Sequence, residues 1–248
     1  VGEVPEAMDT RHLRQHVLVE EILGYEADIL CMQELVPAAL TDHIAPLLRR
    51  AGYTLAAGDD ELALAWRASR FSPELPPVEW HLGGEVQHHP ALVAELARAP
   101  ALLRTLEEQP HTARGVVLRC VETGRRVVVV TTHLILNGVA SNLRALQVYL
   151  VMHAVQRWCS PHHGDSILFC GDLNLRTTGE SALQLVETGR VDPSHHNWFM
   201  GRDVGVALAE LPEEDRCPST IGRGKPCPRG RGTSGYCEDH TCGCGGVK

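Results

Sequence analysis

With 248 residues and 44% hydrophobic content, the chain can fold as one large globular domain, or as one domain with a small appendage. A formal net charge of -8 excludes a protein that grips nucleic acid chiefly through a broad basic surface. It does not exclude a nuclease, because a divalent cation held among carboxylates inverts the local field and accepts phosphates. No apolar run approaches the roughly twenty residues needed to cross a bilayer, and no charged-then-apolar leader precedes the first helix, so the expectation is a soluble protein with no membrane partner. Because Val1 stands where a methionine would start, processing or truncation is expected to have removed the natural start and any address signal.

Thr10 to Leu23 has helical spacing, with Leu13, Val17, Leu18 and Ile22 as the apolar stripe, and Gly24 stops it. Ala27 to Met32 is a short apolar run ending in Gln33-Glu34, which predicts a buried strand that delivers Glu34 to a sheet edge. Asp42 to Ala51 reads as helix, Tyr53 to Ala57 and Leu62 to Trp66 as strands, and the proline- and glycine-rich 71–90 as loop. Ala91 to Glu108 predicts one helix. Val116 to Val121 and Arg126 to Thr132, turned at Gly124, form a hairpin whose second strand runs into His133. Leu143 to Trp158 and Gly179 to Thr188 are helical, the latter stopped by Gly189. No internal repeat is apparent, and the packed domain is expected to span 1–210, leaving 211–248 as a Cys-rich tail.

Between the last two helices lies Ser166-Ile167-Leu168-Phe169-Cys170-Gly171-Asp172-Leu173-Asn174. Ile167 to Cys170 predicts a buried strand that ends in a glycine, a carboxylate and an amide. Side chains two apart on an extended chain point the same way, so Asp172 and Asn174 are expected to share one cleft. A carboxylate that orients water beside an amide that holds it, or a phosphate, is equipment for phosphoester cleavage. Taken alone, the tetrapeptide 171–174 reads first as a polar loop at a strand end.

Four of the nine cysteines, Cys31, Cys120, Cys159 and Cys170, sit in apolar or helical surroundings and read as reduced core or near-core residues. The other five crowd the tail. Cys217, Cys227, Cys237 and His240 offer three thiolates and an imidazole, enough for a closed tetrahedral Zn2+ site, with Cys242 and Cys244 as substitute ligands or free thiols. Arg216, Arg223, Lys225, Arg229 and Arg231 would give that segment a basic face, and the pattern resembles small Cys-Cys-Cys-His modules with nucleic-acid contacts. The competing reading is an oxidisable tail without a fold.

Gln33-Glu34, Thr131-Thr132-His133-Leu134 and Gly171-Asp172-Leu173-Asn174, each after a strand and in this order, resemble the endonuclease/exonuclease/phosphatase superfamily of magnesium-dependent phosphodiesterases. Residues 24–34 and 187–198 are similar to its deadenylase, nocturnin and 2',5'-phosphodiesterase branch, and 61–71 with 91–108 fit the 2',5'-phosphodiesterase subgroup best. The likeness spans roughly residues 9–200. It implies an α/β fold of two packed mixed β-sheets flanked by helices, an incomplete four-layer sandwich, followed by the small Cys/His-rich segment.

By that resemblance Glu34 is the Mg2+ ligand, with Mn2+ as alternative, and His133 contacts the scissile phosphate. Asp172 orients or deprotonates water and Asn174 holds water or phosphate oxygen in line. Arg144 and Gln147, one helical turn apart, match an arginine and a glutamine of the family and are read as structural or substrate-orienting, with the structural role favoured. Ile135-Leu136-Asn137-Gly138 stands where the family has tryptophan, histidine and proline. The family's first strand, with its metal-binding asparagine, and its terminal aspartate and Ser-Asp-His strand have no apolar counterpart here, Glu238-Asp239-His240 being the nearest.

The resemblance therefore implies a phosphodiesterase that removes adenylates from RNA 3' poly(A) or cleaves 2',5'-oligoadenylate, intracellular in cytoplasm or mitochondrion, with activity weak or absent unless Asp239 and His240 fill the place of the missing elements. Two rivals stay open: a non-catalytic RNA- or partner-binding protein built from a degenerate nuclease domain and a zinc module, and an incomplete gene product without a stable fold. Oligomeric state is not readable.

Overall fold

The structure, a computed structural model, describes residues 11–136, 140–159, 165–175 and 179–197, together with two short strands at Thr220–Ile221 and Lys225–Pro226. The chain divides into two compact units. The first comprises residues up to His81, His111–His133 and Val151–Leu173; the second comprises Leu82–Pro110, Leu134–Leu150 and the chain from Asn174.

In the first unit, β1 (Ile29–Met32), β2 (Tyr53–Ala57) and β3 (Ala63–Arg67) form an antiparallel sheet in the order β1-β3-β2. A second sheet has the order β4-β5-β6-β7, built from Phe71–His81, Thr112–Cys120, Arg126–His133 and Ser166–Asp172. It is mixed: β4, β5 and β6 are antiparallel, whereas β6 and β7 run parallel.

Strand alternation explains how the layers stack. On β3, Ala63 and Ala65 turn toward Val19 of α1 (Arg11–Gly24) and toward Leu40, Ile44 and Leu48. Those three come from a helical run made of α2 (Pro37–Ala39), a π-helical segment Leu40–Ile44 and α3 (Ala45–Arg50). Leu64 and Trp66 point to the other face, where they meet Val116 and Leu118 of β5 and Val129 of β6. Each large apolar side chain enclosed in this way contributes about 1.5–3 kcal/mol. On the far face of the second sheet Gly115 has no side chain, and Trp80 and Trp158 meet edge-on over it with ring centroids 5.4 Å apart. Trp158 lies on α7 (Ser141–Cys159). Helix, sheet, sheet and helix thus succeed one another in this unit.

The second unit packs α4 (Leu82–Glu85), a 3-10 turn Val86–His88, α5 (Pro90–Leu96), α6 (Pro100–Glu107), the first half of α7 and α8 (Ser181–Thr188). Its core is Val86, Leu106, Ala140, Leu143, Leu146 and Leu150. Among the described residues no helix is long and apolar enough to cross a membrane.

Several expectations from the sequence need correction. The proline-rich 71–81 is not loop but the eleven-residue strand β4. It is the outermost strand, paired only with β5, and its register shifts between Pro73 and Leu75 and again between Leu75 and Val78. Prolines are tolerated there because an edge strand leaves half its amides without a ladder partner. The helix expected over 91–108 is two helices, because Pro100 cannot accept the α-conformation at the residue before it, and Ala99 has φ -131 and ψ 68. The stripe of α1 is rotated from the one expected: Val19, Ile22 and Leu23 pack inward while Val17 and Leu18 stay exposed.

Candidate active site

Three strand ends bring candidate residues together, all in the first unit. Beyond the end of β1, the Gln33 side-chain amide donates to Thr131 Oγ1 on β6 at 2.8 Å, linking the two sheets. Leu35 N donates to the Glu61 carbonyl at 3.1 Å. Between these two anchors Glu34 is held at φ +56 and its carboxylate is exposed. A left-handed conformation at a residue that is not glycine, asparagine or aspartate costs about 1 kcal/mol or more, and it persists where neighbours over-determine it.

β6 and β7 supply the other two groups. Their parallel register sets His133 directly opposite Asp172. His133 Nε2 lies 3.9 Å from the Asp172 carboxylate, and Nδ1 lies 2.5 Å from Glu61 Oε1. One ligand atom each from Glu34, His133 and Asp172 falls within 4.8 Å of the others, and among the described residues no other group of His, Cys, Asp and Glu side chains does this. Strand ends far apart in sequence therefore converge on one point.

The donor set fits a divalent cation. A hard cation takes anionic oxygen and keeps several waters, and the exposed carboxylates of Glu34 and Asp172 offer that oxygen on the solvent side. The imidazole has its Nδ1 occupied by a carboxylate, an acceptor only, so the Nδ1 position bears a proton and Nε2 faces Asp172. His111, in the same unit, has its pKa lowered by burial and by the neighbouring His133 charge, so it adds little positive charge there.

Beneath the site Cys31 of β1 and Cys170 of β7 share a hydrogen bond. The Cys31 S–H donates, which pulls the Cys170 thiol down to about 7, while the same bond pushes the Cys31 thiol up. All four described cysteines are free thiols.

The remaining sequence candidates lie in the second unit or outside the described residues. Asn174 is in the second unit, at φ +50, with its amide donating to the Leu134 carbonyl at 2.7 Å. Strand β7 ends at Asp172, so the extended-chain alternation that would aim Asp172 and Asn174 alike does not continue through Asn174. Arg144 and Gln147 are fully buried. Arg144 Nη2 and Nε reach Glu180 Oε2 at 2.8 and 3.1 Å and Nη2 donates to Ser141 Oγ at 2.8 Å, while Gln147 Oε1 accepts from Ile135 N at 3.2 Å. Cys217, Cys227, Cys237 and His240 fall outside the described residues, as does Glu238-Asp239-His240. A small hairpin, β8 (Thr220–Ile221) with β9 (Lys225–Pro226), lies between the first two of those cysteines.

Glu61 is the residue that sequence reasoning passed over. Its signal was the acidic run Asp59-Asp60-Glu61 directly before β3. Asp60 is held by Thr112 Oγ1 at 2.6 Å and Arg114 Nη2 at 2.7 Å, with Arg114 also paired to Glu79.

This layered α/β fold is shared with proteins of known structure. The human nocturnin catalytic domain with bound sulfate anion superposes with a TM-score of 0.56 at 23% identity, covering 71% of this chain and 61% of that one. ANGEL2, a 2',3'-cyclic phosphatase, in complex with adenosine-2',3'-vanadate, gives 0.58 at 19% identity, covering 76% of this chain and 51% of that one. In sequence the chain is similar to human 2',5'-phosphodiesterase 12, 25% identical over 215 residues, 84% of this chain and 34% of that protein. It is also similar to the CCR4-Not complex 3'-5'-exoribonuclease subunit Ccr4 of Candida glabrata, 24% identical over 213 residues, 77% of this chain and 24% of that protein. The chain spans about a third of the length of the first of these relatives. No family model matches it. The chain is thus similar in sequence to 2',5'-phosphodiesterase 12 and Ccr4, and in fold to solved proteins that include an endonuclease/exonuclease/phosphatase family protein from Bacteroides thetaiotaomicron.

Proposed function

We propose that this chain carries the hydrolytic centre of a divalent-cation-dependent phosphodiesterase acting on RNA 3' ends, either 3',5'-linked poly(A) or 2',5'-linked oligoadenylate. The observation that carries the reading is the approach of Glu34, His133 and Asp172 to within 4.8 Å. Members of the superfamily are in general divalent-metal dependent. Glu34 would hold Mg2+, or Mn2+, assisted by Asp172, and the bound cation supplies Lewis-acid neutralisation of charge growing on the phosphate. In its doubly protonated form, with Nδ1–H on Glu61, His133 would donate from Nε2 to a phosphate oxygen in the transition state, where the charge develops. Asp172 accepts the proton of the attacking water. The four free thiols accord with a reducing, intracellular setting, cytoplasm or mitochondrion.

The test is hydrolysis of 2',5'-linked and 3',5'-linked oligoadenylates by the purified chain with magnesium, with Asp172→Ala as control. The 2',5' linkage comes first, since a relative named for it aligns with 84% of the chain. Removal of a general base is expected to lower turnover by about 100-fold to 10,000-fold. Turnover that survives Asp172→Ala would overturn the assignment.

A further inference from the structure

We propose that Cys31 and Cys170 form a redox modification site: a hydroperoxide converts the two thiols to a disulfide between the sheets, which draws β1 against β7 and weakens the cation site at their ends. The regulatory consequence rests on the phosphodiesterase reading, whereas the disulfide itself does not.

Three observations carry it. First, the two side chains face each other across the layers. Cys31 is the register partner of Leu64 and packs with it in the cluster that fills the space between the sheets. Thr131, which accepts from the Gln33 amide beyond β1, is the register partner of Cys170, and laterally paired residues of a ladder project to the same side. Cys170 therefore faces β1, and the two thiols share a hydrogen bond. Cys120 and Cys159 bond elsewhere, to Thr123 and to the Val155 carbonyl. Second, the layers are close at this point. The α-carbons of β1 and β7 come within 8 Å of one another, nearer than the roughly 10 Å usual between packed sheets. Sulfurs about 2.05 Å apart lie well inside a hydrogen-bonded separation, so closing the bond pulls the two strands together. Third, the strands that carry the thiols also carry the ligands. Glu34 stands three residues beyond Cys31 and Asp172 two beyond Cys170. Both thiols are half-buried, and β7 is the outermost strand among the described residues, so a small peroxide reaches them.

The terminal peroxide oxygen passes to one sulfur as the O–O bond breaks, giving a sulfenic acid and an alcohol or water. The second sulfur attacks the first, S–S forms, S–O breaks, and the oxygen leaves as water with the remaining thiol proton. The two thiols lose two electrons and the peroxide gains them.

The test treats the reduced full chain with hydrogen peroxide and maps its peptides without reduction, cleaving before Asp165 to separate Cys170 from Cys159. A Cys31–Cys170 linked peptide is expected, reversed by dithiothreitol. The oxidised chain should bind Mn2+ about 10- to 100-fold more weakly, with oligoadenylate hydrolysis falling alongside and dithiothreitol restoring both. Cys31→Ala and Cys170→Ser should bind Mn2+ like the reduced wild type before and after peroxide. Absence of the linked peptide would overturn the proposal. So would a linked chain with unchanged Mn2+ affinity, or an equal loss on peroxide treatment in both variants. If the reduced chain neither binds Mn2+ nor hydrolyses oligoadenylate, the phosphodiesterase reading falls together with control of the cation site, and the linked peptide alone judges the disulfide.

Discussion

Gly171 passes so near Thr132 that a β-carbon built on it would stand 1.9 Å from the Thr132 carbonyl oxygen. Its φ of +136 is also closed to ordinary side chains. This contact is what allows β7 to lie in parallel register with β6 up to His133 and Asp172. Gly171→Ala combines backbone strain with a steric clash and is expected to cost about 3 kcal/mol or more. Thermal denaturation should show a fall in Tm of about 6–12 °C. Gly124→Ala is the comparison: its φ is +68 with nothing within 4 Å of the added carbon, and its cost should stay near 1 kcal/mol.

Breaking the buried pair of the second unit should be the most damaging charge change in the protein. Arg144 and Glu180 are 0% and 4% exposed. Arg144→Met or Glu180→Gln alone leaves the partner enclosed without its counter-charge and should cost about 3–5 kcal/mol, while Arg144→Met with Glu180→Leu should recover much of it. Denaturant melts of the two single variants and the double variant read the coupling; additive losses would remove the pair from this role.

Cation binding should depend on Glu34. Mn2+ titrated into the chain and followed by its electron paramagnetic resonance signal should bind at least about 30-fold more weakly to Glu34→Gln, because a unit charge near 4 Å from a divalent ion is worth about 2 kcal/mol even at water-like screening. Chelation should abolish any hydrolysis and magnesium should restore it. Equal binding by wild type and Glu34→Gln would place the cation elsewhere.

The thiol pair predicts a pH dependence of known sign. The Cys31 S–H stabilises the Cys170 thiolate, bringing the Cys170 thiol down to about 7, so its alkylation by iodoacetamide should rise through pH 7 and level off above it. Without that donor, in Cys31→Ala, the rise should move up toward the ordinary thiol range near 8.5. Peptide mass spectrometry separates Cys170 from Cys120, whose thiol is also lowered, by hydrogen bonding to Thr123. An unchanged Cys170 profile in Cys31→Ala would refute the bond.

Glu34, His133 and Asp172 were legible because each follows a short apolar run, and a strand end is where a sheet exposes side chains to solvent. The runs before them became β1, β6 and β7 at nearly the expected bounds. Other features depend on contacts that local pattern does not carry. Glu61 is 72 residues from His133, and only the packing of two sheets makes them neighbours. The strand at 71–81 was hidden by Pro73, Pro76 and Pro77, which are admissible only because that strand turned out to be outermost. The alternation expected for Asp172 and Asn174 failed because the backbone at Asn174 is left-handed, a property that Asn tolerates better than most residues but does not announce.

β7 closes one end of its sheet: among the described residues no strand lies beyond it, and Ile167 and Leu168 are 39% and 42% exposed. Among the described residues that greasy ribbon is paired on one side, and such an edge accepts a further strand. The strand that bears Asp172 is thus also the one on which an added partner strand would seat. A lysine at Ile167 would then keep the material dispersed without altering the carboxylate five positions further on.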